Sequence, residues 1–343
     1  MTNSYCSDKY QYTMGKTFVD KGLDKTIAVF NMFYRTAPDN NNWAVVSGID
    51  EVLEMLTGFG SCPETFFKKF LPEESYGSFC RMLPEVRFTG DVYAMEEGQI
   101  AFPRQPVITV VAPLLQAQIL ETPLLTIMNH QMAVATKASR VTRSTKKPIS
   151  EFGSRRAHGP WAALHGAKAA YIGGCVSTSN ILATTEFGIP STGTMAHSFI
   201  TAFGCSVKSE YEAFDAYIKS HRGEGLILLL DTCDTLKSGI HNAIRAFREN
   251  GIDNAYRPLF GVRLDSGDLA YLSRKCREIL DREGFGNCVI FASNALDEYL
   301  ISDLERQNAA IDFYGVGDAI ATSKHNPCFG NVYKMVQIGD TPV

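Results

Sequence analysis

The sequence predicts an α/β fold, an irregular TIM-like (β/α) barrel preceded by an α+β N-terminal domain. Three observations predict it. From residue 147 onward, short apolar segments alternate with helical patterns, the signature of βα units around a parallel sheet. Those apolar segments end again and again in polar residues, as strands do where they open onto a shared face. Before residue 145 no such alternation exists, and strand and helix patterns are mixed. The domains read as 1–145, 146–325 and a returning strand within 326–343 that packs on the N-terminal domain.

In the first domain TIAVFNMFYR (26–35) reads as a strand, PDNNN (38–42) as a turn, and 48–58 as a helix. VYAMEEGQIAFPRQPVITVVA (92–112) reads as two strands around a Gly/Pro turn. A helical pattern follows from 114 to 143, with a break expected at Pro123 because proline lacks the amide donor and crowds the preceding turn. In the second domain the expected strand ends are ISEFGSRR (149–156), CVSTSN (175–180), STGT (191–194), LILLLDTCD (226–234), FGVRLDSGD (260–268), VIFASN (289–294) and DFYGVGD (312–318).

Composition narrows the function classes. The formal charge of −4 argues against a broad phosphate-neutralising surface, so nucleic acid is not the expected partner and any anion site must be local. The N-terminus carries no secretory pattern and no run of about 18 apolar residues exists, so a cytoplasmic protein without a membrane span is expected. The 9 cysteines contain no C-x-x-C pair, which signals neither a zinc knuckle nor a dithiol site.

The polar strand ends carry the chemistry. Arg155 and Arg156 follow Phe152; paired arginines are commonly surface charges, yet at a strand end a guanidinium fork suits carboxylate or phosphate and a phenyl ring suits an aromatic ligand. His197 lies among Thr192, Gly193, Thr194 and Ser198, where either a structural role or nucleophilic and acid/base work is open. Asp231, Asp234, Asp265 and Asp268 are acids that either cap helices or converge. Converging carboxylates repel one another, and Mg²⁺, which takes one or two carboxylates plus substrate phosphates, would relieve that. Asp234 and Asp265 are the expected ligands. The endings 292–294 and 315–318 suit phosphate, since glycines let backbone amides approach and a helix start adds positive potential.

With those residues in view, the chain resembles the nicotinate phosphoribosyltransferase family. The resemblance runs through SDKYQYTMG (7–15), FNMFYR (30–35), WAVVSGIDEVLEML (43–56), EFGSRRA (151–157), STSN (177–180), GTMAHS (193–198), RLDSGDL (263–269), ASN (292–294), YGVG (314–317) and VYKMV (332–336). It implies transfer of phosphoribosyl from 5-phosphoribosyl 1-pyrophosphate to nicotinate, giving nicotinate mononucleotide and pyrophosphate in NAD salvage. It further implies coupling to ATP hydrolysis through a phosphohistidine at His197, with Mg²⁺ as cofactor. Nicotinate would stack between Phe152 and Tyr10, the tyrosine coming from the partner in a homodimer. Its carboxylate would meet Arg263 or Arg155, with Thr194 lining the pocket. Ser179 suits the acid substrate where the related nicotinamide enzyme has an aspartate. Asp265 would serve catalysis near the ribose or Mg²⁺, and Ser293, Asn294 and Gly317 would hold the 5-phosphate. Two departures stand beside this. Asp318 replaces the usual threonine after G-V-G, unless turned away or paired with Lys324 a poor neighbour for phosphate. Family members also usually continue beyond Val343. An impaired or regulatory relative, possessing the ligand sites without turnover, is therefore the alternative expectation, and a metal-dependent hydrolase is disfavoured by the lack of an H-x-H pair.

Overall fold

The computed structural model describes residues 7–36, 42–60 and 62–343. Cys6 and most of the turn expected at 38–42 lie outside them. The chain divides into two compact units, residues 1–136 with 325–343, and residues 137–324.

In the first unit Ile27–Tyr34 is the central strand of a five-stranded antiparallel sheet. It pairs on one side with Asn331–Ile338 and on the other with Ile108–Pro113, which in turn pairs with Asp91–Ala94. Alternation decides which face is buried: Ala28, Phe30, Met32 and Tyr34 all point inward, as the period of two in a strand requires. Phe30 stacks on Tyr333 of the returning strand at 4.7 Å, so distant parts of the chain share one core. The segment read as two strands yields three, because Ile100–Ala101 leaves this sheet to pair with Ala44–Val45. The break expected at Pro123 falls at Leu120 instead, between helices Leu114–Ile119 and Glu121–Arg143. Pro123 is the third residue of the second helix, a position whose amide has no partner in the preceding turn.

The second unit holds a six-stranded, wholly parallel sheet. In chain order its strands are Ile149–Glu151, Ser177–Thr178, Leu226–Leu229, Phe260–Leu264, Val289–Ala292 and Phe313–Val316. The strands Leu226–Leu229, Phe260–Leu264 and Val289–Ala292 are followed by the helices Ile240–Glu249, Leu269–Arg282 and Glu298–Arg306, as the expected βα steps require. Leu226, Ile227, Leu228 and Leu229 are all buried, which explains an unalternating apolar run.

The first strand pairs with the second and also with the last, Glu151 lying opposite both Thr178 and Val316. Neighbours therefore follow one another in cyclic order. Among the described residues the sheet does not close fully: the strand expected at STGT is replaced by a single parallel bridge from Ser191 to Thr178. Among the described residues no ladder joins that segment to Leu226–Leu229, leaving a curled parallel half-barrel. Gly193 weakens a strand at this point, and the segment is bounded by Pro190, which has no amide to donate to a ladder. No helix among the described residues is long and apolar enough to cross a membrane.

One buried ionic cluster ties this unit together. Glu298 Oε1 accepts from Lys137 Nζ at 2.8 Å and meets Arg140 Nη2 at 3.1 Å, with Lys137 and Glu298 side chains 2% and 8% exposed. Removing one partner strands a buried charge. Glu298→Ala should therefore lower unfolding stability by about 3–5 kcal/mol, read by chemical denaturation, and an unchanged midpoint would show the cluster to be solvated.

Candidate active site

The expected site residues of the second unit gather at the carboxyl ends of its strands. Two adjoining clefts share Phe152, Arg155 and Arg263. One, of about 540 Å³, is bounded by Arg156, Asp265, Ser293, Asn294, Gly317 and Asp318; the other, of about 800 Å³, by Ser179, Thr192, Gly193, Thr194 and Met195. Parallel strands explain the convergence, since every loop that follows a strand emerges on one face.

Arg263 sits between the two clefts. Its guanidinium is 13% exposed, and burial pulls its pKa below the usual arginine value while Asp265 and Asp231 push it back. It remains a cation, as guanidinium does throughout ordinary pH. One Nη donates to Thr194 Oγ1, the other lies 4.0 Å from Asp265 Oδ2, and Nε is buried without a hydrogen-bond partner. A desolvated cation with a spare donor suits a planar anion.

The aromatic wall is prearranged. Phe152 stacks on Phe291 at 5.6 Å with 7° between planes, and Phe291 stacks on Phe313 at 6.1 Å. Gly315 makes room for it, because a Cβ there would stand 2.6 Å from Phe152 Cδ2. Opposite, the Ser293 amide donates to Leu264 O, and Asn294 and Ala295 adopt φ of 91° and 48°. Left-handed backbone at successive residues other than glycine is costly and collects at binding loops. Gly317 precedes the short helix Asp318–Ala321, placing its turn in the same cleft. Asp318 lines that cleft too, and among the described residues it forms no ion pair with Lys324.

His197 begins the helix His197–Phe203. Its Nδ1 shares a hydrogen bond with Thr232 Oγ1 at 3.0 Å, while Nε2 faces Asp265 Oδ2 at 3.8 Å and Asp231 Oδ1 at 4.0 Å. The His197 side chain is 45% exposed, and its Nε2 lies near both carboxylates. Asp231 is the residue that sequence reasoning left undecided. Its side chain is 3% exposed; Oδ2 accepts from the Asp265 amide and Ser266 Oγ, and Oδ1 has no hydrogen-bond partner. Asp231 thus holds the loop that carries Asp265, whose Oδ1 accepts from Ser293 Oγ.

The other acids divide by role. Asp268 caps helix Leu269–Arg282 through the Tyr271 amide, and Asp234 accepts the Leu236 and Lys237 amides with its pKa held low by those bonds. Asp234 lines neither cleft. Among the described residues no group of three or more His, Cys, Asp or Glu is arranged to hold a metal. Of the four acids at 231, 234, 265 and 268, Asp265 is the one that lines a cleft. Tyr10 lies in the other unit, on helix Lys9–Asp20 and 45% exposed, beside a shallow depression formed with Asp8, Glu121 and Thr122.

Known proteins fit this geometry. Residues 6–129 match the nicotinate phosphoribosyltransferase N-terminal domain model, and residues 148–330 match the nicotinate phosphoribosyltransferase family model. The chain belongs to the nicotinate phosphoribosyltransferase family. It is 41% identical over 335 residues to nicotinate phosphoribosyltransferase of Bacillus subtilis, covering 97% of this chain and 66% of that protein. A Mycobacterium tuberculosis nicotinate phosphoribosyltransferase is 38% identical over 332 residues, with 96% and 69% covered. The chain thus spans about two thirds of these relatives' length. Among solved structures, human nicotinic acid phosphoribosyltransferase superposes with a TM-score of 0.82 at 27% identity, covering 98% of this chain and 76% of that one. Nicotinate-nucleotide pyrophosphorylase from Pyrococcus furiosus gives 0.79 at 27% identity, with 99% and 77% covered.

The packing around the family's aromatic wall is open to test. Gly315→Ala should drive Phe152 into the cleft and destabilise by about 1–3 kcal/mol, measured by denaturant titration; wild-type stability would show that the ring has room to retreat.

Proposed function

We propose that this chain transfers the phosphoribosyl group of 5-phosphoribosyl 1-pyrophosphate to the ring nitrogen of nicotinate. The bond from ribose C1 to pyrophosphate breaks, a bond from C1 to the pyridine nitrogen forms, and nicotinate mononucleotide and pyrophosphate leave. The observation that carries this reading is Arg263: a largely buried guanidinium that lines the same cleft as the Phe152 ring. A ring carrying a carboxylate satisfies both. Arg155 adds a second cation, Thr194 already holds Arg263, and Ser179 lines the same cleft without adding the repulsion of an acid.

In the neighbouring cleft, Ser293, Asn294 and Gly317 would hold the 5-phosphate, with Arg155 and Arg156 supplying charge. As pyrophosphate departs, positive charge grows on C1 and negative charge on the leaving group. Fixed charges stabilise that separation most where water is excluded. Mg²⁺, held by Asp265 and the phosphates, would neutralise part of the leaving charge. Asp265 is oriented for this by Asp231 and Ser293. Tyr10 of a second copy would cover the other face of the pyridine ring, making the working unit a dimer. The half-barrel is then read as an irregular TIM-like barrel whose open seam carries the histidine segment.

His197 is read as the group that couples ATP hydrolysis to transfer. Its Nε2 can accept a phosphoryl group while Nδ1 is held by Thr232. Phosphorylation would add negative charge beside Asp231 and Asp265 and so shift the loop's preferred arrangement. With γ-labelled ATP and Mg²⁺, label should appear on the protein and be absent from His197→Ala; equal labelling of both removes His197 from this role.

The reaction itself is tested by pyrophosphate release with nicotinate, nicotinamide or quinolinate as the acceptor. Release with nicotinate at least tenfold faster than with the other two is expected. Preference for quinolinate would favour the chemistry named for the Pyrococcus furiosus neighbour, and no release from a folded protein would favour a ligand-binding relative.

A further inference from the structure

One buried carboxylate beside the clefts lines neither of them. Glu151 ends the first strand, is 3% exposed and is absent from both linings. Burial raises its carboxyl pKa, and two hydrogen bonds oppose that shift. Those bonds lead to separate walls of the site. Oε1 accepts from the Gly153 amide, in the turn that carries Phe152 and Arg155. Oε2 accepts from Thr178 Oγ1 at 2.6 Å, in the turn that carries Ser179.

Thr178 extends the connection. Fully buried, its hydroxyl oxygen accepts the Asn180 amide at 3.0 Å while its proton goes to Glu151. The backbone repeats the pattern: the Ser179 amide donates to Glu151 O at 2.9 Å, and the Phe152 amide donates to Val316 O at 2.8 Å. The spacing is also sterically fixed, since a Cβ on Gly153 would stand 2.4 Å from Ala321 Cβ and 2.7 Å from Glu151 Oε1. The ring wall and the serine wall are thereby referenced to one side chain.

We infer that Glu151, acting through Gly153 and Thr178, is a positioning residue that sets the gap between the Phe152–Arg155 wall and Ser179 and thereby the fit of the pyridine ring. The inference rests on the pyridine reading of this cleft. A carboxylate is required because both partners are donors. Glutamine preserves the volume but can accept through only one terminal atom, so one wall meets a donor where it needs an acceptor.

The test compares Glu151→Gln, Thr178→Val and Thr178→Ser with wild type. Glu151→Gln and Thr178→Val should raise KM for nicotinate by about 5- to 20-fold, a loss of one or two charge-assisted hydrogen bonds at this site. For Thr178→Val, which leaves the Gly153 turn and Arg155 tethered, KM for 5-phosphoribosyl 1-pyrophosphate should stay within about twofold; for Glu151→Gln it should rise less than the nicotinate KM, because Arg155 also faces the phosphate cleft; and Thr178→Ser, which restores the hydroxyl, should return nicotinate KM to near wild type. Equal change in both KM values, or none in either, would overturn the positioning role, as would a serine variant that behaves like valine. If Glu151→Gln does not fold, the two Thr178 variants decide by the same split. Wild-type turnover of nicotinate is measured alongside. Its absence defeats the substrate reading, whereas its presence with unsplit KM values defeats only the role given to Glu151.

Discussion

The second unit depends on the pairing of its first parallel strand with its last. Glu151 lies opposite Val316, and the Phe152 amide is spent on the Val316 carbonyl. That ladder brings loops separated by some 160 positions in the chain onto one rim, setting Phe152 and Arg155 beside Gly315, Gly317 and Asp318. Had the sheet stayed flat, with first and last strands as edges, Phe152 and the turn at 315–318 would lie at opposite ends. Closure on that side makes one site from two halves.

Charge is arranged on that rim by burial as much as by identity. Arg263 and Asp231 both have side chains largely withdrawn from water, and each keeps an atom without a hydrogen-bond partner. Unsatisfied buried polar atoms are costly in a resting protein. On the proposed reaction these charges are already desolvated, so less reorganisation remains when charge separates.

Much of this was legible in the sequence because apolar runs that stop abruptly at charged residues are strong signals. RLDSGD placed Arg263 and Asp265 at a strand end, and EFGSRR did the same for Phe152 and Arg155. What was not legible was the division of labour among acids. Asp231, Asp234, Asp265 and Asp268 look alike as letters, and only packing makes Asp234 and Asp268 caps, Asp231 a buried brace and Asp265 the group facing the cleft. Glu151 was missed for a related reason: its partners are a backbone amide and a hydroxyl from a different strand, which no local pattern announces. The third strand was overestimated because a polar ending was taken to imply a ladder, where the segment beside Pro190 and Gly193 keeps only one bridge.

The open seam of the sheet has a mechanical meaning. The segment leading to His197 is tied to the second strand by the Thr178 amide on Pro190 O and the Thr192 amide on Thr178 O, at 3.0 and 2.9 Å. Its far side carries no ladder to Leu226–Leu229 among the described residues. On that far side the segment is held by side chains rather than by a ladder, Thr232 on the His197 ring and Arg263 on Thr194.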